Sequence, residues 1–227
     1  MRCQRKHWID GGNAMRNKQI NGVKGKDMVT TSIIGAALDG RTSAAKQMLV
    51  VLGGSALVAV AAQISVPFIP VPMTLQTLAV LLVGLTCGAR LGALALIAYL
   101  IEGAVGLPVF AEFKNGVAFA GPTAGFLIGF VMMAFLAGLV VDLGVRRFLP
   151  LALALIAISA LLYVPGVAWA MLADAAFGID AAKWGADSFA MIWQYYMSPF
   201  LVGDTVKAVI AALLVSGAWA ALKNRAA

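Results

Sequence analysis

The sequence predicts an all-α integral membrane protein, a bundle of six transmembrane helices with both termini in the cytoplasm. Three observations predict it. Of the 227 residues 62% are hydrophobic and 12% charged, against roughly 45–50% apolar and about 25% charged in soluble domains, and the mean hydropathy is +0.92. No Asp, Glu, Lys or Arg occurs in the 43 residues between Lys46 and Arg90; one span needs only about 20 apolar residues, so this gap holds two spans and a turn. Finally, Lys and Arg gather in alternate connections, as expected of those that stay in the cytoplasm.

Residues 1–44 are predicted to be a polar, disordered leader, and residues 45–227 a single membrane domain with an outward-facing ligand site. The leader is basic but no apolar core follows it directly, which argues against a cleavable signal peptide. Span one runs from Gln47 to Ser65 and stops at "VPFIPVP", where Pro67, Pro70 and Pro72 remove backbone donors and enforce a short external turn. Span two, "MTLQTLAVLLVGLT", ends at "CGAR", and span three, "LGALALIAYLIEGAVG", ends at "LPVF"; both are short for a full crossing. Span four occupies Pro122 to Val141, with Pro122 suited to a first helical turn. Span five, Leu149 to Leu172, carries "VPG" at 164–166, which predicts a kink. The longest polar connection of the body, "ADAAFGIDAAKWGADS", leads to span six, with Ser198 as cap and Pro199 as first helical residue.

Arg41 and Lys46 precede span one, Arg90 follows two, Arg146 and Arg147 follow four, and Lys223 and Arg225 follow six. The intervening connections carry no charge in the first case, Glu112 and Lys114 in the second, and Asp174, Asp180, Lys183 and Asp187 in the third. This alternation puts both termini in the cytoplasm and the loops 107–121 and 173–190 outside.

The formal charge of +7 does not indicate nucleic acid as a partner. Residues 1–27 hold seven basic and two acidic residues, leaving 10 basic against 8 acidic for the remainder, and these stand singly between apolar runs. Two cysteines, Cys3 and Cys87, lack neighbours at metal-ligand spacing, and the one histidine, His7, lies in the leader. No metal, cofactor, catalytic triad or enzyme activity is expected.

Within "SPFLVGDTVKAVIAALLV", Asp204 and Lys207 share a helix face. Charges inside a membrane usually face a bundle interior and mark a substrate path. The other reading is interfacial: in a helix starting at Pro199 the carboxylate would lie near the N-terminal dipole and the lysine would snorkel to the surface. Thr74, Gln76, Tyr99, Glu102, Asn115 and Thr123 fall at the same predicted depth, and for each a purely structural role competes with a ligand contact. Asp142 and Arg146 read as an interfacial ion pair. The set suits a small neutral heterocycle with amide-like edges: Asp204 to accept its N–H protons, Lys207 to donate to its carbonyl, Gln76, Asn115 or Thr123 for a second polar end, and Phe110, Phe126, Trp193 and Tyr195 as apolar walls.

Four segments, "PVPMTLQTLAVLLVG" (70–84), "GLPVF" (106–110), "GPTAGFLIGF" (121–130) and "PFLVGDTVKA" (199–208), together resemble the BioY family, the biotin-binding S components of energy-coupling-factor vitamin transporters. The resemblance covers about residues 45–222, with the motifs in family order. It implies a multi-pass protein of the cell inner (plasma) membrane that captures biotin from outside. Delivery would require a transmembrane coupling protein and a pair of ATPases. It further implies that Asp204 and Lys207 bind biotin's ureido ring, and that Asn115 and Thr123 contribute to the pocket. Two departures stand out: the family's glycine-rich loop reads "AEFKNG", and its "GPTGGY" pattern reads "GPTAGF". No P-loop is present, so energy must come from partners. Gly54, Ser55, Ala59 and Ala62 of span one allow close helix approach, within the bundle or against the coupling protein. The competing readings are an S component for another vitamin, a passive facilitator, and an intramembrane enzyme.

Overall fold

The computed structural model describes residues 43–178, 180–186 and 188–225. Residues 1–42 of the leader, with Cys3, His7 and Arg41, residue Asp187, and the side chains of Asp174, Lys223 and Arg225 lie outside the described residues.

The chain is nearly all helical. Helix α1 spans Ala44–Gln63, α2 Gln76–Cys87, α3 Ala89–Ala104, α4 Ala124–Asp142, α5 Phe148–Leu161 and α6 Tyr163–Phe177. A short α7, Phe189–Ile192, passes through a π-helical turn, Trp193–Met197, into α8, Ser198–Arg225. Among the described residues four helical stretches are long and apolar enough to cross a membrane: α1, α4, the run Phe148–Ala173 formed by α5 and α6, and the stretch containing α8. The apolar α2 is shorter.

Helix α4 lies at the centre, packed against α2, α3, α5 and α6, while α8 packs on α2 and α5 and α1 on α3. Helices associating in lipid gain little from hydrophobic burial and rely on close contact of small residues. A Cβ added at Gly138 of α4 would stand 2.3 Å from the Ala89 backbone nitrogen, so the α2–α3 corner can seat on α4 only over a glycine. That corner turns at Gly88, whose φ of 82° favours glycine. One turn past Gly138, Asp142 Oδ2 accepts the Ala89 N–H at 3.0 Å. The predicted Asp142–Arg146 ion pair is therefore corrected. The carboxylate caps α3 instead, and the Arg146 guanidinium stacks 3.9 Å from the centre of the Trp219 ring.

The proline-rich turn is closed by a two-residue antiparallel ribbon, Ser65–Val66 against Met73–Thr74, with the Ile69–Pro70 peptide cis. The helix of the second apolar run consequently begins at Gln76 and not at Met73. The kink expected at "VPG" falls slightly earlier, at Leu162 between α5 and α6. Pro165 has no N–H to offer the carbonyl four residues before it, and its ring crowds that carbonyl, so the helix breaks one turn upstream of the proline. The last helix requires the larger correction. Ser198 is not its cap and Pro199 is not its start. Ser188 caps the segment, its side chain accepting from Met191 N–H, and the π-turn directly before Pro199 absorbs the donor that proline lacks.

Candidate functional site

That relocation removes the interfacial reading of Asp204 and Lys207. Counted from Phe189, Asp204 lies about 22 Å along the helix, far beyond the first turn where a dipole acts. Both side chains are buried, with residue exposures of 6% and 8%, so neither reaches an interface.

Lys207 Nζ donates to Asp204 Oδ1 at 3.1 Å. Thr77 Oγ1 of α2 donates to the same oxygen at 2.9 Å, and the Tyr163 hydroxyl donates to Oδ2 at 2.7 Å. A carboxylate offers about four acceptor positions, and these bonds occupy three, leaving one on Oδ2. The ammonium spends one of its three protons on Asp204. The pair thus presents one spare acceptor beside two spare donors, complementary to a cyclic urea or amide edge.

These groups line a cavity that encloses about 710 Å³ with its open mouth included. It sits where the ribbon, the 105–123 loop, the start of α4, the α5–α6 break and the π-turn converge. Each contribution has a local cause. Thr77 and Gln76 lie on the first turn of α2, because Thr74 Oγ1 accepts the Gln76 N–H at 3.2 Å. Tyr163 heads α6 because of the proline break. Tyr196 belongs to the π-turn and is anchored through its hydroxyl to the Trp184 carbonyl at 3.1 Å.

Of the predicted residues, Asp204, Lys207, Gln76 and Thr123 line the cavity, as do Phe110 and Phe126. Tyr99 and Asn115 are not in the lining. Tyr99 is fully buried behind Gln76: its hydroxyl accepts from Gln76 Nε2 at 2.7 Å and donates to the Val109 carbonyl at 3.1 Å. It therefore orients Gln76. Asn115 caps the 3-10 helix Gly116–Ala120, its side-chain oxygen accepting from Val117 N–H at 3.3 Å. Glu102, at the same predicted depth, accepts from Ser55 Oγ of α1. Trp193 and Tyr195 are exposed on the π-turn and stand outside the lining; Tyr163, Tyr196, Phe130 and Phe200 supply the aromatic walls beyond Phe110 and Phe126.

Sequence reasoning missed Thr77, Tyr163, Tyr196 and Lys114. Thr77 was within reach, being the polar neighbour of Gln76 on the same first turn. Tyr163, alone in an apolar run, gave no signal, and in "WQYYM" the sequence does not say which of the adjacent Tyr195 and Tyr196 faces inward until the π-turn aims them.

The sequence matches the BioY family over residues 29–224. "Probable biotin transporter BioY" of Pyrococcus horikoshii is 39% identical over 171 residues, covering 75% of this chain and 94% of its own length. The biotin transporter BioY of Rhizobium etli is 39% identical over 160 residues, covering 66% and 79%. A crystal structure described as the S-component for biotin from an ECF-type ABC transporter matches with a TM-score of 0.60 at 20% identity, over 78% of this chain and 93% of the other, and shows the shared fold. Given a family match that runs through every described helix, and relatives aligned over most of their own length, the chain belongs to the BioY family.

Proposed function

We propose that this protein captures biotin as the substrate-specific S component of an ECF-type ABC transporter, and is a transport component and not an enzyme. The observation that carries this reading is the buried Asp204–Lys207 pair at a cavity wall, with one acceptor and two donors unspent. Biotin's bicyclic urea offers N–H donors and a carbonyl acceptor in one plane. One ureido N–H bonds Asp204 Oδ2 and the ureido oxygen accepts from Lys207, while the aromatic walls cover the rest of the ring system. Thr123 and Gln76 line the same cavity and serve as further polar contacts. Asn115 shapes the adjoining loop and Tyr99 holds Gln76. The named relatives, one described as a probable biotin transporter and the other as a biotin transporter, support this ligand.

In the bilayer, α1, α2, α3, α4, the α5–α6 unit and α8 constitute six spans, with both termini cytoplasmic, in the plasma membrane. The short α2 and α3 complete their crossings through the ribbon and the 105–110 turn. Residues 1–44 form a leader outside the 45–227 membrane domain, and the cavity opens outward. A transmembrane coupling protein and ATPase subunits supply the energy.

Equilibrium binding of radiolabelled biotin to the purified protein, competed with other vitamins, tests the ligand. Competition by another vitamin at lower concentration than biotin itself would transfer the site to that compound. Uptake in vesicles with and without the coupling protein and ATPases tests the mode of transport. Equal uptake in both would mean passive facilitation.

A further inference from the structure

We propose that Lys114 is the receptor for the carboxylate of the ligand's side chain, making the protein selective for an anionic over a neutral ligand, with Glu112 as its counter-ion while the cavity is empty. This rests on the biotin reading above, since biotin carries one carboxylate at the far end of its chain from the bicyclic urea.

Charge points to it first. Among the described residues three charged side chains line the cavity, Asp204, Lys207 and Lys114. The first two neutralise each other, so among the described residues the lining itself holds one further cation, paired only with Glu112 outside the lining, and a ligand with a single negative charge matches it. Depth agrees. The side chains of Asp204 and Lys207 are 8% and 11% exposed, whereas that of Lys114 is 53% exposed. The lining thus combines a deeply buried neutral pair with a half-exposed cation, and its remaining residues are mostly apolar. An amphiphilic ligand with a neutral polar head and an anionic tail has that same order.

The loop bearing Lys114 is held in place from several sides. Its carbonyl accepts from Phe110 N–H at 2.9 Å and its N–H donates to the Ala111 carbonyl at 3.3 Å. Gln63, at the end of α1, brackets the turn, donating to the Phe110 carbonyl at 3.0 Å and accepting from Phe113 N–H at 3.1 Å. Phe110 is buried edge-on between Tyr99 and Phe119, with ring centres 5.1 and 5.4 Å away. Within this frame Glu112 and Phe113 adopt left-handed conformations, φ 60° and 57°, which non-glycine residues rarely occupy and which persist only where the surroundings impose them. The turn brings Glu112 within 2.7 Å of Lys114 Nζ. Glu112 is not itself in the cavity lining. An ion pair this exposed contributes little, so a ligand carboxylate can replace Glu112 at small cost, while the fixed backbone spares the loop ordering that binding would otherwise demand.

The test compares biotin with its uncharged methyl ester, binding each to the wild-type protein, Lys114→Met and Lys114→Arg. The wild type should prefer biotin by about two- to fivefold, the effect of one ion pair at a half-exposed position. Lys114→Met should erase that preference by weakening biotin alone, and Lys114→Arg should retain it. Equal binding of acid and ester by the wild type, or equal weakening of both by Lys114→Met, would overturn the proposal while leaving the biotin reading intact. Failure of the wild type to bind either compound would remove that reading, and this one with it.

Discussion

Replacing Asp204 by Asn keeps the outline of the side chain and removes its charge. The carboxylate accepts from Thr77, Lys207 and Tyr163. With its amide nitrogen toward Thr77 and Lys207, the Asn would oppose the ammonium donor to donor, although the Thr77 hydroxyl can rotate to accept. Turned the other way it meets Tyr163, whose hydroxyl can rotate to accept. In that better orientation Lys207 keeps an oxygen partner but loses its counter-charge while remaining buried. Leaving one member of a buried ion pair uncompensated costs about 3–5 kcal/mol of stability. The acceptor position that would meet a ligand N–H becomes a donor, which removes a charge-assisted hydrogen bond of about 1.5–3 kcal/mol. Biotin Kd should therefore rise about 10- to 150-fold. The assay is equilibrium binding of labelled biotin to protein in detergent, with thermal unfolding measured on the same samples. A lower Tm with Kd unchanged within about twofold would mean that the pair only braces the bundle, and the proposed site would be wrong.

Tyr163→Phe removes one donor to Asp204 while keeping the ring; loss of one hydrogen bond of about 0.5–1.5 kcal/mol should weaken biotin about 2- to 12-fold, and unchanged binding and Tm would show the bond to be dispensable. Gly103→Val places a Cβ 2.1 Å from Phe110 Cζ, which must displace the ring that anchors the 110–114 loop. Tm should fall by the equivalent of about 1–3 kcal/mol and biotin binding should drop with it, whereas wild-type behaviour would contradict the close approach of α3 and Phe110. Asp142→Ala deletes the cap on Ala89 N–H; stability should decline by about 1 kcal/mol with biotin affinity unaltered, and a changed affinity would mean that this distant corner is coupled to the cavity.

Composition and charge placement alone carry the membrane class, and the four BioY-like segments identify the family, because hydrophobic run length and topogenic charge are properties of a linear chain. Asp204 and Lys207 were legible for the same reason: a carboxylate and an ammonium in an apolar run are conspicuous before any folding is considered. Their alternative, an interfacial pair at a helix start, looked equally sound because Ser198 and Pro199 mimic a helix beginning. Only the folded helix, continued backward through a π-turn to Ser188, put them in the interior. Tyr99 and Asn115 sat at the right level in the sequence, but depth says nothing about direction. Hydrogen bonding to Gln76 and to Val117 turned them to supporting roles. Thr77, Tyr163 and Lys114 come from three separate segments and reach one cavity only by packing around α4 and through the bracket made by Gln63. A sequence exposes what is anomalous in its local environment; which ordinary residues converge depends on helix breaks and interhelical contacts, and these belong to the assembled bundle.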